Sequence, residues 1–442
     1  MIDYNVFREF GAAIAHLGET AQKTEIPDEQ RVRQAKQVML SKIDRSMAVD
    51  LESCVKCGYC SEACHFFVQT NEPKYVPTRK LDLLRRVYGR EVSPLRFVRR
   101  LFEAEITADE LRQWQELVYD SCTECGRCSM ACPMGINIAR GVNVMREALA
   151  AAGLAPDELA AVAQEQEQRG TVFGVGPKEL QAAIAKLRES GLDVPLDKPK
   201  ADVLVLTTVI DILLFQDALL ATVKIMNHLG LNWTFRTGGF EAANFGLLSG
   251  MEDLQRQASR KIIDEAISIG AKTVIVPECG HAYPALRWEG AAMAGKPLPF
   301  EVLAISEFLG REIKAGRLKV KSAGARKLTY HDACKLGRHG GVLDEPREAL
   351  RALGVDFRET EPTAEMNWCC GGGAGVFLIN RAAGLRQKAF ELKQQQIDAT
   401  GAESVVMSCG SCRLNFMNGQ ANSRWPVKIE SLVELVSDHL SD

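Results

Sequence analysis

The chain has 442 residues, long enough for roughly two to four domains, each with a core of its own. Its 54 Lys and Arg nearly balance its 57 Asp and Glu, leaving a net charge of −3. That counts against a general nucleic-acid binder, because neutralising phosphates takes a surplus of basic residues. Fourteen cysteines point to metal or redox chemistry rather than to a disulfide framework, and thirteen of them fall into three sets with recognisable spacing.

From Met1 through Arg8 to Glu19 no charged, then apolar, then small-residue pattern of a secretory signal is visible, so the expected location is cytoplasmic. Residues 1–45 are expected to form an N-terminal helical extension. Cys54, Cys57, Cys60 and Cys64 then form a C-x2-C-x2-C-x3-C run, and Cys122, Cys125, Cys128 and Cys132, followed by Pro133, form a second. Three cysteines at two-residue gaps wrap a tight loop around one cubane cluster, while the fourth reaches the neighbouring one. This crossover assigns Cys54, Cys57, Cys60 and Cys132 to one [4Fe-4S] cubane and Cys122, Cys125, Cys128 and Cys64 to another. Zinc would pair its cysteines as two separate C-x2-C units. One departure is that the first run ends in Cys64-His65, with no proline.

The insert between the runs reads as helical, with apolar residues at Leu81, Leu84 and Val87, then at Leu95, Val98 and Leu101. It is basic, with Arg79, Lys80, Arg85, Arg86, Arg90, Arg96, Arg99 and Arg100 against Asp82 and Glu91. Two readings stay open: a docking face for an acidic electron-transfer partner, or a solvated face that offsets negative cluster charge. Residues 46–150 thus make an α-helical ferredoxin domain with two cubanes, and residues 151–200 a helical linker. The strongest apolar run, residues 203–226, holds Asp211, Gln216, Asp217 and Lys224, which are costly in a membrane span. It reads as a buried strand and helix, so no direct membrane insertion is expected.

From about Ala201 the chain repeats itself. Leu229-Gly230 matches Leu353-Gly354, Gly270-Ala271 through Cys279-Gly280 matches Gly401-Ala402 through Cys409-Gly410, and residues 299–309 match 426–436. Each copy, 201–315 and 316–442, reads as strand, helix, glycine-rich turn, helix, strand, loop and helix, which predicts a parallel α/β layer. First strands are expected at 203–206 and 328–330, and a covering helix at 382–399. The second copy gathers Cys334, Cys369, Cys370, Cys409 and Cys412. Five thiols are one more than tetrahedral zinc or a cubane takes. The run Gly371-Gly372-Gly373-Ala374-Gly375 lets backbone approach such a site and lacks GxGxxG spacing. In the first copy Asn244-Phe245-Gly246 replaces the cysteine pair and glycine, no thiol lies near residues 208–210, and Ala282 stands at the second C-x2-C position. Only Cys279 survives, beside His281, and that thiol and imidazole would bind or protonate a sulfur substrate if the copies face each other. Ordinary buried roles for both are the competing reading. His331 and His339 flank Cys334 and suit orientation of cluster ligands. Lys335 and Arg338 are candidates for holding an anionic substrate group, and Trp368 for packing.

The five-cysteine set resembles the cysteine-rich CCG domain of heterodisulfide reductase catalytic subunits. There, five such cysteines hold a noncubane [4Fe-4S] cluster that cleaves disulfides. The helical insert between the first two runs resembles the ferredoxin modules of the same family and of succinate dehydrogenase iron-sulfur subunits. A ferredoxin module fused to CCG repeats resembles the D-type subunit. The single intact copy is similar to the K subunit of the membrane complex associated with dissimilatory sulfite reductase and to heterodisulfide reductase-like proteins of sulfur oxidisers. The fold implied is multidomain α+β, a helical ferredoxin module followed by a duplicated α/β CCG domain. The implied function is electron relay through two cubanes to or from the noncubane site, which reduces a disulfide or persulfide or oxidises the thiol. Partners would be a flavoprotein or membrane cytochrome subunit, bringing the chain to the membrane periphery, and a small sulfur substrate or sulfur carrier. A purely electron-transferring subunit, and the iron-sulfur subunit of a glycolate- or lactate-type oxidoreductase, are the alternatives.

Overall fold

A computed structural model describes residues 11–14, 16, 18, 19 and 25–441. Most of the stretch read for a leader, and the first part of the helical extension, lie outside the described residues. The chain divides into two compact units. The first takes the chain up to Gln164 with Phe245–Leu254 and Gly371–Leu392; the second takes Glu165–Asn244, Gln255–Cys370 and Lys393–Asp442. Two segments that chain order assigns to the repeats therefore belong to the first unit.

The first unit is helical. Helix α1, Asp28–Lys42, buries Ala35 and Met39 and packs on the helix Ile138–Ala151. The latter starts where the Asn137 side chain accepts the Arg140 N–H, and it buries Val142, Met145 and Leu149. Between them, α2, Asp82–Glu91, buries Leu84 and Val87 as the spacing predicts. Helix α3, Arg96–Phe102, does the opposite: Leu95, Val98 and Leu101 are 62%, 53% and 80% exposed. Its polar side faces the body of the unit, with Arg99 on Glu52 at 3.5 Å and Arg100 on Glu91 at 2.5 Å. Arg85, Arg86 and Arg90 are likewise paired, with Asp82, Glu110 and Glu105. The basic residues of this insert are therefore largely spent on internal ion pairs, which reduces the charge available to either of the two readings. The inserted segments are held by buried groups: Tyr119 donates to the Ser249 carbonyl, and Arg146 donates to the Leu248 and Ala374 carbonyls.

The second unit holds two four-stranded sheets. Strands β1 (Val203–Val205), β2 (Trp233–Thr234), β3 (Thr273–Val276) and β4 (Glu301–Ala304) lie in the order β2-β1-β3-β4. Strands β5 (Lys327–His331), β6 (Asp356–Arg358), β7 (Ser404–Met407) and β8 (Lys428–Ser431) lie in the order β6-β5-β7-β8. Every pair is parallel, with matching registers such as Val203↔Thr273 and Leu328↔Ser404. β1, β3, β5 and β7 are the central strands, apolar and covered on both faces. The sequence pattern reveals only these; β2 is two residues long, and β4, β6 and β8 carry charged residues (Glu301; Asp356 and Arg358; Lys428 and Glu430) that break an apolar run.

The two copies exchange helices. The helix after β4, Ile305–Lys314, packs on the helix after β5, Asp344–Ala352. Reciprocally, the helix after β8, Leu432–Ser437, packs on Gln216–His228 from the first copy. This reciprocity is that of a pseudo-twofold pair, residue against equivalent residue. Among the described residues no helix is long and apolar enough to cross a membrane.

Candidate metal centre

In each sheet the chain leaves the first central strand to one side and the second to the other, so a crevice opens beyond the carboxyl ends of those two strands. In the second copy both ends carry cysteine. β5 runs into Asp332-Ala333-Cys334, and β7 runs into Ser408-Cys409. Cys409 occupies the N-cap of the helix Gly410–Ser423, and Cys412 lies in its first turn. Cys369 and Cys370 arrive on the loop behind β6, just before Gly371, whose φ of 93° calls for glycine.

All five sulfurs are buried. Cys334 Sγ lies 4.0 Å from Cys369 Sγ, and the donor atoms of His331, Cys370 and Cys412 lie within 4.8 Å of one another. Hydrogen bonds from Cys369 and then Cys412 hold the Cys370 thiol well below its ordinary pKa, with His331 adding to the effect. A bond from Cys412 lowers Cys409, and Cys412 itself is pushed up. Five soft donors sharing protons in a closed crevice suit iron and sulfide rather than a hard cation.

Polar groups brace this nest. Asn415 Nδ2 donates to the Cys370 carbonyl at 2.6 Å. Asn367 Nδ2 donates to the Asp332 carbonyl at 3.2 Å, while Arg347 grips the Asp332 carboxylate at 2.8 and 2.9 Å. The Lys393 ammonium donates to Asn367 Oδ1 at 2.6 Å. Burial pulls the Lys393 pKa down to about 7, opposed by Asp332 and by the sulfurs of Cys370, Cys369 and Cys412. Asn415, Asn367 and Lys393 escape a reading of the sequence. The one available signal is a lysine inside the apolar face Ala389, Phe390, Lys393, Ile397 of its helix. His331 packs on the Phe416 ring at 5.0 Å, and the His339 carbonyl accepts the Trp288 indole N–H. Arg338, a candidate for holding an anionic group, donates to the carbonyls of Glu365 and Asn367, and so secures the loop leading to the cysteine pair.

The degenerate copy supplies the opposite wall. The Glu278 carbonyl accepts the Gly410 N–H at 2.6 Å, and a Cβ on Gly280 would stand 3.1 Å from Cys409 Sγ. Cys279 Sγ lies 3.7 Å from His281 Nδ1, and His281 Nε2 accepts the Asn244 N–H at 3.1 Å. Burial pushes His281 down to about 4 and the Cys279 thiol up, the latter helped by the Cys409 sulfur. The pair is therefore a neutral imidazole and a protonated thiol. Where the second copy has cysteines, the first has hydrogen bonds: Thr208 forms a capping box with Asp211, and Asn244 donates to Gln255 and Ser259.

In the first unit the two cysteine runs form the same loop twice. Lys56 and Gly58 have positive φ, and so do Glu124 and Gly126 at the equivalent places. Cys60 lies within electrostatic reach of Cys54 and Cys132, whereas Cys64 lies within reach of Cys125 and Cys122. Cys128 lies within electrostatic reach of Cys125, Cys64, Cys122 and Cys60, and Cys57 is exposed on its loop. Cys64, Cys122, Cys125 and Cys128 line an enclosed cavity beside the buried Lys80, which donates to Leu117 and Ser121. Arg146 fixes the Cys122 carbonyl at 2.7 Å.

Residues 50–136 match the family described as a 4Fe-4S dicluster domain, and residues 328–417 match the family described as a cysteine-rich domain, CCG. The D-type component of the dihydromethanophenazine:CoB--CoM heterodisulfide reductase of Methanosarcina mazei is 28% identical over 410 residues, covering 89% of this chain and 94% of that one. Over most of its length the chain is similar to heterodisulfide reductase-like iron-sulfur oxidoreductase subunits, and it carries both of their domains. Iron-sulfur subunit 2 of the Hdr-like menaquinol oxidoreductase of Archaeoglobus fulgidus is 26% identical to this Hdr-like subunit, covering 90% of it and 81% of the relative. The EtfAB:quinone oxidoreductase of Syntrophomonas wolfei is also 26% identical, covering 84% of the Hdr-like subunit and 55% of itself. The two matched domains are those of [4Fe-4S] proteins.

Proposed function

We propose that this Hdr-like subunit passes single electrons through two cubane clusters to or from a noncubane [4Fe-4S] cluster, where a disulfide or persulfide is reduced or the corresponding thiol is oxidised. Cys54, Cys57, Cys60 and Cys132 would hold the first cubane; Cys122, Cys125, Cys128 and Cys64 the second; Cys334, Cys369, Cys370, Cys409 and Cys412 the noncubane cluster. When bound, that cluster supplies iron for a substrate sulfur and accepts or donates electrons singly. The net reduction is R–S–S–R′ + 2 e⁻ + 2 H⁺ → RSH + R′SH. The observation that carries the reading is the gathering of five buried sulfurs at the ends of β5 and β7, two of them 4.0 Å apart.

The chain's own groups have separable tasks in this reading. Asn415, Asn367 and Arg338 fix the loop bearing Cys369 and Cys370. The Glu278 to Gly280 segment fixes Cys409 from the opposite side. Cys279, buried and with its thiol pKa pushed up, fits better as a wall than as a nucleophile or an acid. The electron partner would be a membrane cytochrome or flavoprotein subunit, with the chain cytoplasmic and peripheral to the membrane. A second reading, electron transfer with no sulfur substrate, is favoured by the complete burial of the five sulfurs and by the likeness to a relative named for quinone and EtfAB.

Iron analysis with electron paramagnetic resonance tests both. Three clusters predict roughly twelve irons per chain, and about eight would mean an empty five-cysteine site. Under the catalytic reading, thiol or persulfide added to oxidised protein changes the third signal, and Cys370→Ala removes that signal together with turnover. An unchanged third signal, with turnover surviving Cys370→Ala, sinks the catalytic reading.

A further inference from the structure

We propose that Lys393 is a buried ammonium set against the five-cysteine site, kept charged by the cluster it adjoins, there to balance the negative charge of the cluster and raise its reduction potential. The proposal rests on the reading of that site as a cluster site and goes beyond it to a positioning residue on another element. Lys393 is fully buried, 0% exposed, on the helix Ala383–Asp398. Its ammonium donates to Asn367 Oδ1 at 2.6 Å and to Gln396 Oε1 at 2.7 Å, both neutral amides that orient the charge without cancelling it. The neighbouring Asp332 carboxylate is taken up by both ends of the Arg347 guanidinium. Within electrostatic reach of Lys393 lie Asp332, whose carboxylate is bound to Arg347, and the sulfurs of Cys370, Cys369 and Cys412. A buried ammonium with only amide partners is costly, and an adjacent anion offsets that cost.

The internal repeat gives an independent observation. Counting back from the matched pairs Gly270-Ala271 and Gly401-Ala402, the residue equivalent to Lys393 is Ile262, a buried apolar side chain. The copy that lost its cysteines thus also lacks the cation, and the copy that kept them has it. The first unit repeats the device with Lys80, equally buried and within electrostatic reach of Cys64 and Cys122.

A positive charge beside a cluster favours the more negative, reduced form, at an interior dielectric where unit charges several ångströms apart interact strongly. Potentiometric titration of the full chain, followed by the third electron paramagnetic resonance signal, reads this directly. Lys393→Met is expected to weaken reduction of the third cluster at least about tenfold, about 59 mV for a one-electron couple, with the cubane potentials unchanged. Lys393→Arg is expected to stay within about threefold of the parent. A full third signal at unchanged potential in the Met chain overturns the proposal. If the Met chain loses the cluster, Lys393→Gln, which keeps a polar head on Asn367, carries the comparison. Loss from the Met and Gln chains with retention in the Arg chain supports a need for charge; loss from all three marks mere packing and overturns the proposal. A parent chain with only about eight irons would instead defeat the three-cluster reading, and this proposal with it.

Discussion

Gly280→Ala isolates what the degenerate copy does for the intact one. Gly280 has no positive φ, so alanine is allowed by the backbone and the effect is purely steric. The added Cβ would lie 3.1 Å from Cys409 Sγ and 3.5 Å from Lys335 Cβ. Ordinary contacts lie at about 3.5–4.0 Å, so the sulfur must yield by about half an ångström. Backbone retreat is opposed by the 2.6 Å bond from Gly410 N–H to the Glu278 carbonyl, which ties the two loops together at this point. Overpacking of this kind costs about 1–3 kcal/mol, and metal ligands hold their distances to within about 0.2 Å. The expected result is a chain with both cubanes and a depleted or spectrally shifted third cluster, read by iron content and electron paramagnetic resonance. Gly384→Ala serves as control, since nothing lies within 4 Å of its Cβ position. Parental iron, potential and spectrum in Gly280→Ala would refute the idea that this loop positions Cys409.

Arg347→Met should destabilise the second unit by about 3–5 kcal/mol in denaturant unfolding, because it strands the buried Asp332 carboxylate that Arg347 now holds at 2.8 and 2.9 Å. Gly310→Ala should destabilise by more than a typical overpacked site, since its Cβ would stand 2.4 Å from the Glu345 carbonyl oxygen where Ile305–Lys314 crosses Asp344–Ala352. Burial, and then the Glu434 charge, raise the Glu278 pKa from 4.5 to about 8. The folded state thus binds this proton more tightly than the unfolded state, so the stabilisation is complete below pH 4.5 and is lost as pH rises toward 8. Glu278→Gln should remove that slope, about 1.4 kcal/mol per pH unit, and denaturation midpoints of the two chains that run parallel from pH 5 to 8 would contradict it.

The two ferredoxin-type cysteine runs are legible in the sequence because spacing decides which sulfurs a tight loop can bring together, whereas the five-cysteine set is legible through its resemblance to the CCG domain. The matching left-handed pairs Lys56 with Gly58 and Glu124 with Gly126 are the backbone form of that spacing. The central strands are legible as apolar runs, and the duplication through landmarks such as Gly270-Ala271 and Gly401-Ala402. Direction is what the pattern lacks. Leu95, Val98 and Leu101 define a helix face, but only the pairing of Arg99 and Arg100 with Glu52 and Glu91 turns it outward. Lys393 and Arg338 are ambiguous for the same reason: a cation's role depends on its acceptors, and apart from Gln396 these lie 26 to 29 residues away along the chain.

A copy that loses its cluster ligands must replace their structural work or lose its fold. Here Thr208 and Asp211 satisfy each other, Asn244 donates to the Gln255 carbonyl and Ser259, and Ile262 fills the place of the cation. Its surface could not drift as freely. The reciprocal helix exchange makes each copy half of the other's packing, and the Glu278 carbonyl and Gly280 meet the Cys409 loop across the pseudo-twofold. The degenerate copy is thus constrained by the cluster site it faces rather than by one it holds. Substitutions inside its own former crevice, such as Ile262→Val, should therefore cost about 1 kcal/mol of stability and leave the third cluster's potential unmoved. The same potential should respond to the smallest enlargement of Gly280, and a potential that follows Ile262 instead would show that the two crevices are still coupled.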